Sequence, residues 1–191
     1  PTIRNLAAGI DPRPVSPDRD AKRISSETTF VKDLSTAAEL EAELEMLCRK
    51  VSTRLKAQNL AGGRVTLKLK RPDHRILTRS QTLSERTDKA HLLFTVGREL
   101  LGREIGGRKS YRLLGIGAEQ LGPPGGGDLL SLVGEGESRR DDLEAAIDDL
   151  HARLGEDALQ SGRQFTRKHR PERDATRQRA AIETLSGPVS Y

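Results

Sequence analysis

Val65-Thr66-Leu67-Lys68-Leu69-Lys70 alternates apolar and polar residues without a break. Side chains of an extended strand point to opposite faces with a period of two. These six residues therefore predict a strand with Val65, Leu67 and Leu69 on one side and Thr66, Lys68 and Lys70 on the other. The greasy side needs a cover, while the basic side is free to meet solvent or a ligand if the sheet is antiparallel. Pro72-Asp73 marks a turn, and residues 76–83 read as the antiparallel partner. In that partner Ile76, Thr78, Ser80 and Thr82 share one side unless a bulge intervenes.

Working outward, the segment before this hairpin carries a strong helix signal. Thr36 followed by Glu39 forms a capping box, and Leu40, Leu44, Leu47, Val51 and Leu55 make one apolar stripe at helical spacing. Asn59 and the pair Gly62-Gly63 are expected to end it. Cys48 lies beside the stripe and reads as a small buried hydrophobe rather than a reactive thiol. Further upstream, residues 23–30 set Ile24, Ser26, Thr28 and Phe30 against Arg23, Ser25, Glu27 and Thr29, which predicts another strand. Beyond the hairpin, Thr87 or Asp88 caps a second helix with Leu92, Leu93, Val96 and Leu100 inward, and residues 111–116 form a last strand. The order β-α-β-β-α-β predicts an α+β fold, a four-stranded antiparallel sheet with two helices on one face. The other face of that sheet bears Lys68 and Lys70.

Composition divides the chain of 191 residues. Residues 1–121 carry 23 Lys and Arg against 15 Asp and Glu, a net of +8. Residues 122–165 carry 4 against 10, a net of −6, and the last 26 residues 6 against 3, a net of +3. A basic body beside an acidic segment fits a polyanion-binding unit, though charge alone equally fits a solvated surface. Residues 1–22, with Pro12, Pro14 and Pro17, read as an extended tether before the domain at residues 23–121. Residues 122–137 read as a flexible linker. Residues 138–165 form a C-terminal helical segment, capped by Ser138, with Leu143, Ile147, Leu150 and Leu154 as its stripe and Gly155 as its stop. Residues 166–191 are expected to be a disordered basic tail.

Catalytic constellations are missing. His74, His91, His151 and His169 are scattered and have no metal-ligand spacing. No phosphate loop, dinucleotide-binding glycine pattern or Ser-His-Asp order is present. Acidic residues fall on helix faces or in the acidic segment, where solvated charge is the default. The single cysteine excludes a disulfide framework. No run approaches the roughly 18 apolar residues of a membrane span, and no signal-peptide pattern opens the chain, so a cytoplasmic monomer is expected. Pro1 fits either removal of an initiator Met or an excerpt of something longer.

Four segments carry a resemblance: Lys22-Arg23-Ile24-Ser25-Ser26-Glu27-Thr28-Thr29-Phe30, Val65-Thr66-Leu67-Lys68-Leu69-Lys70, Thr78-Arg79-Ser80-Gln81-Thr82-Leu83 and Tyr111-Arg112-Leu113-Leu114-Gly115-Ile116-Gly117. In order and content they resemble the little-finger domain of Y-family DNA polymerases, most nearly the bacterial polymerase IV branch, over about residues 5–121. Asn5-Leu6-Ala7-Ala8-Gly9-Ile10-Asp11 is similar to the end of the thumb domain of that family. The resemblance implies a domain that holds duplex DNA by its phosphates during lesion bypass, with Lys22, Arg23, Ser25, Ser26, Lys68, Lys70, Thr78, Arg79, Ser80 and Thr82 as its DNA-binding residues. Phosphate contacts position without reading bases, which suits that role. The nucleotide-transfer site, with its Mg and palm carboxylates, belongs to a part of such polymerases that nothing here matches. This chain is thus expected to hold no cofactor and to be inactive alone, with the remaining polymerase domains as a further candidate partner. The resemblance also implies a sliding-clamp-binding peptide, for which Leu129, Leu130, Leu132 and Val133 are the candidates. Leu129 stands where that motif has Gln and Val133 where it has an aromatic, and packing of the same leucines under the third helix is the alternative.

Overall fold

The computed structural model describes residues 2–14, 21–106, 109–124, 135–155, 158–159, 161–163 and 165. The expected tail at 166–191 and the candidate clamp peptide at 129–133 lie outside them. The elements run α1 (Ile3–Ala7), β1 (Arg23–Leu34), α2 (Ala37–Ala57), β2 (Ala61–Lys70), β3 (Ile76–Thr87), α3 (Ala90–Gly102), β4 (Tyr111–Gly122) and α4 (Glu135–Leu154). Four strands form one antiparallel sheet in the order β1-β4-β2-β3. The fold is the expected α+β arrangement.

Periodicity explains each element. The stripe of α2 is buried throughout, with Leu40, Leu44, Val51 and Leu55 at 0% exposure. Each such burial contributes roughly 1.5–3 kcal/mol, and together they clamp α2 to the sheet, chiefly over β4 and β1, in one core with Val65, Leu67, Leu69, Leu114 and Ile116. Thr36 caps α2 as predicted: its Oγ1 accepts from the Glu39 N–H at 3.3 Å and donates to the Glu39 carboxylate at 2.6 Å. Cys48 is fully buried beside the stripe, and burial pushes its thiol pKa up.

Several boundaries differ from expectation: α1 lies within the segment read as an extended tether, β1 runs on to Leu34, β3 runs on to Thr87, a residue expected to cap α3, and α4 begins at Glu135, before Ser138. Helix α2 stops at Ala57, where Asn59 takes a left-handed φ of 52°. The pair Gly62-Gly63, expected as the helix stop, lies inside β2. A Cβ on Gly62 would sit 2.6 Å from the Ala118 Cβ, so glycine there permits the close approach of β2 and β4. Strand β4 also runs past the expected residue 116 to Gly122.

Helix α4 departs most. Its predicted apolar stripe is not its docking face: Leu143 is 60% exposed and Leu154 is 68%. It docks instead through its acids, against the expectation that they are merely solvated. Helix α3 has no side-chain cap of its own, and four unpaired N–H groups at a helix start attract an anion. Glu144 supplies it, accepting from Ala90 N–H at 2.8 Å, His91 N–H at 3.2 Å and the Lys56 ammonium at 2.7 Å, with His91 Nδ1 at 2.9 Å. Asp148 takes a second contact from Lys56 at 2.6 Å, and Asp141 pairs with Lys89.

Burial raises the Glu144 pKa, but the bonds from His91, Lys56 and Ala90 outweigh that and hold it well below the ordinary 4.5. A carboxylate depressed in the folded state stabilises above its unfolded pKa and loses that contribution as pH falls toward the folded value. Docking of α4 should thus be at full strength at pH 7 and weaken progressively below about pH 4.5. At pH 7 Glu144→Gln should speed hydrogen exchange of α4 amides by about tenfold or more, leaving β2 and β4 protected. Equal loss of protection in the sheet would contradict a local latch.

Candidate nucleic-acid interface

Burial of one face of the sheet under α2 and α3 determines what the other face presents. Because Val65, Leu67 and Leu69 point into the core, Arg64, Thr66, Lys68 and Lys70 point outward. The registers of β1, β4 and β3 then place four cross-strand rows on the open face. The first is Arg23, Glu119, Arg64, Thr82 and the second Ser25, Gly117, Thr66, Ser80. The third is Glu27, Gly115, Lys68, Thr78 and the fourth Thr29, Leu113, Lys70, Ile76. Rows stand roughly 7 Å apart and strands about 4.8 Å apart. Of the DNA-binding residues implied by the resemblance, seven share this face: Arg23, Ser25, Lys68, Lys70, Thr78, Ser80 and Thr82.

Three do not, and for Arg79 and Ser26 the cause is the two-residue period. Arg79 lies opposite Leu67 in the β2–β3 register, so it points to the helix side, where its Nε bonds the Glu104 carboxylate at 2.7 Å. The expectation that Arg79 shares a surface with Lys68 and Lys70 is corrected. Ser26 lies opposite Ile116 in β4, on the side of Ile24 and Phe30, and it too leaves the open face. Lys22 is exposed just before β1 and belongs to no row.

The face also contains residues that the sequence reading passed over. Arg64 extends the basic alternation of β2 by one step and bonds Thr82 Oγ1 at 3.3 Å. Reading Gly62-Gly63 as a helix stop concealed it; carrying the alternation back from Thr66 would have found it. Glu27 and Glu119 place carboxylates among the cations. Glu27 bonds Lys68 at 2.8 Å, and Glu119 stands 3.7 Å from Arg23.

The Glu27–Lys68 pair spans two strands that are not neighbours, since β4 lies between β1 and β2. It exists because the intervening residue is Gly115, where a Cβ would lie 2.9 Å from the Glu27 Cβ. Gly117 does the same for Arg23: a Cβ there would meet its Nε at 2.7 Å. The two glycines of Gly115-Ile116-Gly117 are saddles over which β1 side chains cross to the sheet centre. On the edge of β1, Arg54 of α2 donates to the Ser25 carbonyl at 2.9 Å, which blunts an exposed strand edge.

An open sheet face of cations, hydroxyls and glycines, with no aromatic in any of its four rows, can hold a polyanion and has nothing on which a base would stack. Residues 21–132 match the impB/mucB/samB family C-terminal domain, and the chain belongs to that family. It is 41% identical over 165 residues to a DNA polymerase IV of Brucella melitensis, covering 86% of this chain and 37% of that protein. A DNA polymerase IV of Mesorhizobium japonicum is 42% identical over 173 residues, covering 89% of this chain and 39% of that protein. The chain thus spans about two-fifths of the relatives it matches. Among solved structures, a Y-family DNA polymerase chimera shares the fold with a TM-score of 0.51 at 16% identity, over 63% of this chain and 34% of that one. Helix α4 lies beyond the residues of the family match.

Proposed function

We propose that this chain is the part of a translesion DNA polymerase that grips duplex DNA by its phosphates without reading sequence, in cytoplasmic DNA repair and damage tolerance. The observation that carries the reading is the gathering of Arg23, Arg64, Lys68 and Lys70 on one uncovered sheet face, in a chain whose relatives are DNA polymerases IV. Hydroxyls at Ser25, Thr78, Ser80 and Thr82 offer neutral donors beside those charges. A bypass polymerase meets any sequence, so contacts to phosphate rather than to base edges are what its grip needs. No helix among the described residues is long and apolar enough to cross a membrane. Nucleotide transfer belongs to the remaining length of such polymerases.

Four phosphates neutralised predict that log affinity falls with log salt at a slope of about −3 to −4. Lys68→Ala or Lys70→Ala should lower that slope by about one and weaken unrelated duplex sequences alike, whereas Arg79→Ala should leave it unchanged. Salt-independent binding, or loss confined to one sequence, would refute backbone recognition. Fluorescence anisotropy over a salt series reads both.

Glu27 opposes this grip, since it places a negative charge on the face and occupies Lys68. A like charge roughly 7 Å from a phosphate in water costs about 0.6 kcal/mol. Glu27→Gln should therefore tighten duplex binding about threefold, an improvement that a purely structural Glu27 would not produce.

Contact with the sliding clamp is the second reading, and it rests on the sequence Leu129-Leu130-Ser131-Leu132-Val133, a short apolar run in polar surroundings. Replacing Leu130 and Leu132 together by Ala should abolish clamp binding measured by surface plasmon resonance. Unchanged binding would remove this segment from the interface.

A further inference from the structure

The second row of the open face, Ser25, Gly117, Thr66 and Ser80, contains a polar atom out of place. Thr66 is only 4% exposed, and its Oγ1 has no hydrogen-bond partner among the described residues. A buried hydroxyl without a partner costs stability, and valine has nearly the same shape and suits a strand at least as well. Core packing does not require the oxygen, because Val65 and Leu67 on either side are the residues that face the helices. Thr66 points to the open face, and its register partner in β4 is Gly117. Over Gly117 lies Arg23: a Cβ built there would meet Arg23 Nε at 2.7 Å and Nη2 at 3.0 Å. An unpaired hydroxyl, itself covered from solvent, thus neighbours a guanidinium that occupies the space over Gly117 at the centre of the sheet.

We infer that Thr66, Gly117 and Arg23 form a seat for one phosphodiester group of a DNA strand, a site at the middle of the sheet that resting on Lys68 and Lys70 alone would not supply. A non-bridging phosphate oxygen accepts the Thr66 O–H, and the Arg23 guanidinium adds charge and a second donor from above. Its long 3.7 Å contact with Glu119 leaves Arg23 donors to give. Arg23 fills the space over Gly117, so the seat opens as the guanidinium lifts onto the phosphate and uncovers the Thr66 hydroxyl. Ser25 and Ser80 stand at the two ends of the same row, on the edge strands, so the row directs the nucleic-acid strand across the sheet. The seat deepens the phosphate-grip reading and rests on it.

The test compares the 191-residue chain with Thr66→Val and Thr66→Ser, using two labelled duplexes of unrelated sequence at low salt and thermal melts of each protein. Thr66→Val should bind both duplexes about tenfold more weakly, with an unchanged salt slope because no charge is lost. Its melting temperature should equal or exceed that of the parent, since an unpaired buried oxygen has gone. Thr66→Ser should restore binding to within about twofold. Parent-like affinity in Thr66→Val, or a loss matched by a lower melting temperature, overturns the seat while leaving the phosphate grip standing. Absence of duplex binding by the parent overturns the grip itself. Displacement of the duplex by inorganic phosphate at matched ionic strength, in the parent but not in Thr66→Val, would support the seat as the place a DNA phosphate occupies, whereas phosphate binding at Thr66 that leaves duplex affinity unchanged would overturn its assignment to a DNA strand.

Discussion

Burial of Val65, Leu67 and Leu69 beneath α2 and α3, each at 1% exposure or less, is the constraint from which the geometry of this domain follows. A strand slipped by one residue would exchange three core side chains for Thr66, Lys68 and Lys70, and no helix stripe could accept them. Strand β4 pairs with both β2 and β1, so the lock is passed across the sheet: Leu67 fixes Ile116, and Ile116 fixes the position opposite Ser26. Every cation on the open face owes its place to apolar residues on the other side. The surface of this domain is thus specified by its core.

The parts of the fold readable in advance are those where one local period decides the outcome. The α2 stripe and the alternation of β2 each oppose an apolar side to a polar one over several residues, and both appear where expected. Even Arg79 was legible. If Thr78, Ser80 and Thr82 share a side, Arg79 between them faces the other way, and the structure shows it bonded to Glu104 there. Charge and resemblance drew it into the candidate interface against its own parity. Ser26, flanked in its alternation by Ile24 and Phe30, is the same error. Long-range placement was not legible, because nothing local says that the last strand enters the sheet between the first and second. The saddle roles of Gly115 and Gly117 depend on that insertion and stayed hidden with it.

Helix α4 shows how the same reading can reverse. Its leucines have the spacing of an inward stripe, yet Leu143 and Leu154 are mostly exposed while Glu144 is held by two backbone N–H groups, His91 and Lys56. A helix start without a side-chain cap is a fixed positive dipole end that any nearby carboxylate can satisfy. A count of charge along the chain records the acids of residues 122–165 as solvated because it cannot see the start of α3, some fifty residues away. The dock is electrostatic, and its strength follows pH and salt in a way an apolar stripe would not.

The open face mixes attraction with opposition: Arg23, Arg64, Lys68 and Lys70 stand among Glu27 and Glu119. For maximal affinity the carboxylates are a defect. On the phosphate-grip reading proposed above, a surface that advances along a duplex has a physical use for them, since each phosphate step must release contacts as readily as it forms them. A cation already paired to a carboxylate is held in place and loses less side-chain freedom on binding. It also exchanges one anion for another, so the net gain per contact is small. The same logic applies to Gly115, whose missing side chain lets Glu27 reach Lys68 across a whole strand. Filling that position with any side chain would separate the pair, free the lysine, and convert a moderated surface into a stickier one.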